Sequence, residues 1–111
     1  MPDDEIRSKR KQTIIIALGA TESSPVDAQD AVLFSLIMPA ALTGTAIHYE
    51  GSADGGVFVD MYDAFNVQVT QTVAAGRAYD VPAEVSTYPW WRIVSGTAEA
   101  AKRSIIVCSK Q

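Results

Sequence analysis

The stretch Thr45-Ala46-Ile47-His48-Tyr49-Glu50, continued by Gly51-Ser52-Ala53-Asp54-Gly55-Gly56 and then by Val57-Phe58-Val59-Asp60-Met61-Tyr62, decides the fold. In its first part apolar Ile47 and Tyr49 alternate with polar His48 and Glu50, the period of two that marks a strand with one buried face. Asp54-Gly55-Gly56 then supplies residues that tolerate positive φ, and a second β-prone segment follows. Two such segments joined by such a turn predict a β-hairpin.

Working outward, Thr13 to Leu18 is a β-branched run closed by Gly19, and Thr21 to Pro25 is rich in turn formers. Ala31 to Met38 is an apolar run stopped by Pro39, which cannot donate to a sheet ladder. From Asn66 to Val73 the pattern alternates, with Val67 and Val69 on one face and Gln68, Thr70 and Thr72 on the other. Arg77 to Val81 reads as a short strand, and Pro82 to Pro89 as a loop with one helical turn near Ala83 to Val85. Trp90 to Val94 and Ser104 to Ser109 are the last two strands. Seven or eight short strands with frequent turn signals predict an all-β, antiparallel β-sandwich of jelly-roll type; a single twisted barrel is the alternative.

The chain has 111 residues, 48% of them hydrophobic and 20% charged, with a formal net charge of −4. That composition belongs to a folded domain and argues against non-specific nucleic-acid binding, which needs clustered positive charge. Residues 1–11 join Asp3-Asp4-Glu5 to Arg7, Lys9, Arg10 and Lys11 and read as an extended polar N-terminal arm, leaving residues 12–111 as one sandwich domain. The start is too polar for a secretory signal, and the longest apolar stretch, Ala31 to Leu42, is interrupted by Ser35 and Pro39 and too short to span a bilayer. Neither a membrane nor a nucleic acid is expected as a partner.

Three strands break the one-sided pattern. Ile14-Ile15-Ile16, Ala31-Val32-Leu33-Phe34 on to Ile37, and Ile105-Ile106-Val107 are apolar at consecutive positions, so they are apolar on both faces, while a two-layer sandwich buries one. Adjacent Trp90 and Trp91 likewise point opposite ways in a strand. Burying an Ile, Leu or Phe is worth about 1.5 to 3 kcal/mol, so four to six left in water forgo on the order of 10 kcal/mol and leave an adhesive surface. The second face therefore calls for a cover, supplied by the arm, by the loops at residues 19–30 and 77–89, or by neighbouring subunits.

Residues capable of chemistry do not gather into a recognisable motif. Cys108 and His48 are the single cysteine and histidine, which excludes an intrachain disulfide and a cysteine/histidine zinc site. His48 has only Ala46 and Glu50 as neighbours on its strand face, with no nucleophile in reach. Asp54, Asp60, Asp63, Asp80 and Glu84 lack the spacing of a calcium loop, and Gly55-Gly56 lacks the lysine and the helix of a phosphate loop. No catalytic residue, metal ligand or cofactor is expected, and the chain reads as a protein that binds or assembles and not as an enzyme. Arg7, Lys9, Arg10, Phe34, Tyr88, Trp90, Trp91 and Arg92 are the candidate interface residues, since aromatics and arginine anchor interfaces. Tyr88, Trp90 and Trp91 also suggest a stacking platform for a sugar ring.

Two blocks carry a resemblance. Ile37-Met38-Pro39-Ala40-Ala41-Leu42-Thr43 with Ala46 to Asp63, and later Trp90-Trp91-Arg92-Ile93-Val94-Ser95-Gly96-Thr97, are similar to a pattern in small tailed-phage proteins of β-sandwich type, although those carry tyrosine and leucine where this chain has the two tryptophans. The resemblance covers roughly residues 13 to 109, and its motifs are structural; similar hairpin turns occur in discoidin-like carbohydrate-binding sandwiches. It implies a virion structural protein that decorates or cements a capsid, self-associating as a homo-oligomer, most naturally a trimer, and contacting the major capsid protein. It further implies residence on the capsid surface after assembly in the host cytoplasm. A tail or neck component, or a carbohydrate-binding module that serves adsorption with a glycan as partner, are the alternative functions.

Overall fold

The computed structural model describes residues 9–28 and 31–110. Nine strands are formed among them: β1 (Lys9–Ile16), β2 (Val26–Asp27), β3 (Leu33–Ile37), β4 (Ala46–Ser52), β5 (Val59–Asp60), β6 (Thr70–Thr72), β7 (Ala78–Asp80), β8 (Trp90–Ser95) and β9 (Arg103–Lys110). Every strand pairing is antiparallel. One sheet runs β1-β9-β3-β7, and the other runs β2-β8-β4 with β5 and β6 sharing the far edge of β4.

The pairings β1 with β9, β2 with β8, β3 with β7 and β4 with β5 nest inside one another. They describe one long antiparallel ribbon rolled up so that its strands alternate between two sheets, which is the jelly-roll sandwich expected from the sequence. β4 changes partner at Tyr49: residues 46–48 pair with β6, and Glu50 and Gly51 pair with β5.

The inward faces are those the alternation foretells. Ile14, Ile16, Phe34, Leu36, Ile105 and Val107 of the first sheet meet Val26, Ile47, Tyr49, Trp91 and Ile93 of the second, all buried. Trp91 is fully enclosed at the centre, its ring edge-on to Phe34 at 5.3 Å and to Tyr49 at 5.8 Å, geometry that aromatic quadrupoles favour. Among the described residues its indole Nε1–H finds no acceptor, which carries a desolvation cost. The Tyr49 hydroxyl donates to Gln71 Oε1 at 2.6 Å, and burial pushes its phenol well above the ordinary tyrosine range.

Between the sheets the chain is tied by side chains. Gln12 of β1 donates to the Asp27 carbonyl at 3.1 Å and accepts from the Asp27 amide at 3.3 Å, while Arg10 donates to the same carbonyl. This pins the edge strand β1 of one sheet to the edge strand β2 of the other and covers an edge that would invite pairing with other chains. On the opposite flank Glu99 is buried, its carboxylate accepting from the amides of Thr43 and Gly44 at 2.8 and 2.9 Å, from Arg103 Nε at 2.9 Å and from the Ser95 hydroxyl at 3.0 Å. Burial alone would raise its pKa, but these four donors outweigh it and hold the carboxyl at about 2. Glu99 thus joins the approach to β4, the end of β8 and the start of β9.

The structure departs from the sequence reading at three places. β1 starts at Lys9, so residues 9–11 of the expected arm are sheet residues in register with Cys108 to Lys110; they belong there because their backbones complete the β9 ladder. The rest of the arm lies outside the described residues. β2, two residues next to turn formers, has too short a pattern to read. The second hairpin strand shrinks to Val59–Asp60 because a tight turn follows, with Asn66 at φ 63° and Asp63 Oδ1 accepting from the amides of Phe65 and Val67. Val67 is therefore a turn residue and exposed, whereas Val69 is buried as read.

Candidate functional site

With the inner faces occupied by the core, the surfaces left for function are the outer faces of the two sheets and the loops at their ends, and the two faces differ in kind.

On the outer face of β1-β9-β3-β7, cross-strand registers lay out rows: Thr13, Ile106, Ile37 and Ala78 in one, and Lys11, Cys108, Ser35 and Asp80 in the next. Leu33 is 62% exposed, Ile37 43% and Ile15 38%, with Val32 beside them at 57%. Among the described residues, the loops leave these side chains accessible. At the Leu33 end a concavity of about 710 Å³ is lined by Arg10, Lys11, Leu33, Phe34, Asp80 and Lys110 among others. Greasy strand surface and positive charge thus meet beside the first described residues of the chain.

On the outer face of the second sheet β4 presents His48 and Glu50, and β8 presents Arg92 between Trp90 and Val94. Arg92 of β8 and Glu50 of β4 are cross-strand partners joined by a 2.5 Å ion pair, and the Arg92 guanidinium lies 4.6 Å from the Phe58 ring centroid. His48, two residues before Glu50, has its Nε2 at 3.3 Å from Asp60 Oδ1 on β5. His48, Glu50 and Asp60 bring their ligand atoms within 4.8 Å of one another, a grouping that strand periodicity alone does not reveal because Asp60 arrives across the hairpin.

The turns of the hairpin region are built from side-chain caps. Ser52 Oγ accepts from the Gly55 amide at 2.9 Å, and Asp54 Oδ1 accepts from the Gly56 amide at 2.8 Å and the Val57 amide at 3.3 Å, bonds that lower the Asp54 pKa. Gly55 has φ +81°, and a Cβ there would stand 3.1 Å from the Trp90 indole; a Cβ on Gly51 would stand 2.7 Å from the Tyr88 ring. The two sequence blocks that resemble phage proteins therefore meet in the structure: Trp90 of the second covers the Gly55 backbone of the first, and Tyr88, just before the second block, covers Gly51. Beyond the turn, Val57 and Phe65 are 70% and 87% exposed, with Val59, Tyr62 and Val67 close in sequence and also exposed. That second apolar cluster was not read from the sequence, since its residues sit in segments with ordinary strand patterns.

The candidate interface residues separate. Phe34 and Trp91 are core residues, because the inward positions of β3 and β8 carry them into contact with each other, and the interface role expected for them does not hold. Trp90 is half-buried over Gly55, and Tyr88 packs against the core across Gly51. With Trp91 enclosed, the three rings do not form a shared platform. Arg92 is held by Glu50 and Phe58, and Arg10 lies at the basic concavity. Lys9 contributes its backbone to the β1 to β9 ladder, and Arg7 lies outside the described residues.

The fold defines the chain as a jelly-roll β-sandwich. Searches against known protein families and against curated proteins return no match. Among solved structures, the SPBc2 prophage-derived protein YomS is similar in fold, with a TM-score of 0.61 over 93% of this chain and 95% of that one at 7% sequence identity.

Proposed function

We propose that this chain is a phage virion structural protein that works by contact and not by catalysis, assembling with copies of itself, most naturally three, and decorating or cementing a capsid surface through the major capsid protein. The observation that carries this reading is the uncovered apolar outer face of β1-β9-β3-β7, where Leu33, Ile37, Ile15 and Val32 remain accessible although they belong to well-paired strands or lie beside them. A lone domain gains nothing by keeping such groups in water, whereas an interface removes them from it. Likeness in fold to a prophage-derived protein, and the resemblance of the hairpin and Trp90 blocks to small tailed-phage proteins, support the same setting.

The test is sedimentation of the purified chain followed by its localisation in purified particles. The reading expects a discrete oligomer and a stoichiometric place on the capsid. A monodisperse monomer that fails to bind capsids would sink it, and recovery with tails or necks instead would move the protein to that part of the virion.

A further inference from the structure

We propose that His48, Glu50 and Asp60 form a binding site for a first-row divalent cation of the zinc or nickel type, on the outer face of the second sheet. The strand register places Glu50 directly opposite Asp60, and His48 lies two residues away on the same face of β4. Two carboxylates facing each other across a strand pair repel and destabilise the pairing, a cost that a bound cation would relieve. Arg92 answers only part of this charge, holding Glu50 Oε1, while the Asp60 carboxylate faces His48.

The donor set selects the metal. One imidazole with two carboxylates suits borderline first-row ions, while calcium and magnesium prefer an all-oxygen shell of six or more ligands. Ligand atoms within 4.8 Å of one another need only a small inward adjustment to reach a common ion, and rotation of the exposed Asp60 side chain supplies it. Arg92, stacked on Phe58, fixes the Glu50 carboxylate as hydrogen-bonding neighbours of metal ligands commonly do. Three protein ligands on an open face leave the remaining positions to water. The site does not depend on the assembly role proposed above and uses the opposite face of the sandwich.

Titration of the purified full chain with zinc chloride or nickel chloride, followed by calorimetry, tests this. One ion per chain is expected, with affinity at least tenfold weaker in His48→Ala and in Asp60→Asn, unchanged in Cys108→Ser, and not matched by calcium chloride. Both ligand substitutions point outward, and unchanged far-UV circular dichroism checks that they fold. A readout free of variants is paramagnetic nickel broadening of wild-type amide resonances, which should centre on residues 48–50 and 60. Zinc binding that persists in His48→Ala, vanishes in Cys108→Ser, or does not occur overturns the assignment, as does broadening centred elsewhere.

Discussion

The outer faces of the two sheets solve the same geometric problem in opposite ways. β4 alternates, so every Ile47 or Tyr49 sent into the core sends a His48 or Glu50 outward, and β8 adds Arg92 to that face between Trp90 and Val94, where the charged groups pair with one another. β1, β3 and β9 place isoleucine, leucine or valine on both sides of the pleat, and the outward set of Ile15, Leu33 and Ile37 is left exposed. Since the inner faces are equally apolar, folding alone does not require the difference. Alternation is enough to build the sandwich; in the assembly role proposed above, the extra apolar residues serve contacts outside it.

The strongest way to break this contrast is to ask whether inward and outward members of one strand behave differently. Trp91→Ala removes the largest enclosed side chain and should cost about 3 to 5 kcal/mol in urea unfolding, whereas Trp90→Ala, one residue away on the outer side, should cost about 1 kcal/mol. Similar losses for both would mean that the two faces are not energetically distinct.

Glu99 ranks next, because it fastens the two sheets together and so keeps their faces in fixed relation. Glu99→Gln should cost about 3 kcal/mol, since it removes the charge from Arg103 and places an amide nitrogen where donors converge. The pH dependence has a definite sign. The folded carboxyl titrates at about 2 against an ordinary 4.5, so its contribution is full above 4.5 and fades as pH falls toward 2. Wild-type stability should drop by about 3 kcal/mol over that window beyond the fall shown by Glu99→Gln, and parallel curves for the two proteins would show that the carboxylate is not held as described.

Gly51→Ala is a smaller disturbance, expected to cost about 1 to 3 kcal/mol because the new methyl group meets the Tyr88 ring at 2.7 Å. A neutral result would mean that Tyr88 is free to swing away and does not hold the Gly51 backbone in place.

Much of this was legible in the residues themselves. The hairpin at 45–62, the opposed Trp90 and Trp91, and the double-sided strands at 14–16 and 105–107 follow from a period of two, which is local and therefore visible. What stayed hidden depends on contacts distant in sequence. Glu99 sits in an alanine-rich segment that reads as a loop, and its partners Thr43 and Gly44 are more than fifty residues away. Asp60 reaches His48 only once the hairpin register is set, and Phe34 read as surface until β3 was shown to turn it toward Trp91. The cluster from Val57 to Val67 escaped for the opposite reason. Its residues look like inward strand positions, but turns at Asp54 and Asp63 leave too little strand to bury them.

The smallest effect on the fold should accompany the largest on assembly. Ile15→Thr, Leu33→Thr and Ile37→Thr together keep β-branched or strand-compatible side chains on the outer face, so the isolated domain should lose less than about 1 kcal/mol. If the three side chains are buried between subunits, removing them forgoes several kcal/mol of apolar burial, and with each 1.4 kcal/mol equal to tenfold, self-association should weaken at least 100-fold in sedimentation. Phe65→Ser with Val57→Ser probes the other exposed cluster in the same assay. Loss of the oligomer in the threonine variant alone assigns assembly to the face of β1-β9-β3-β7. Loss in the serine variant alone transfers it to the hairpin tips, and the double-sided strands would then need another explanation, because their outward residues would contribute neither to folding nor to association.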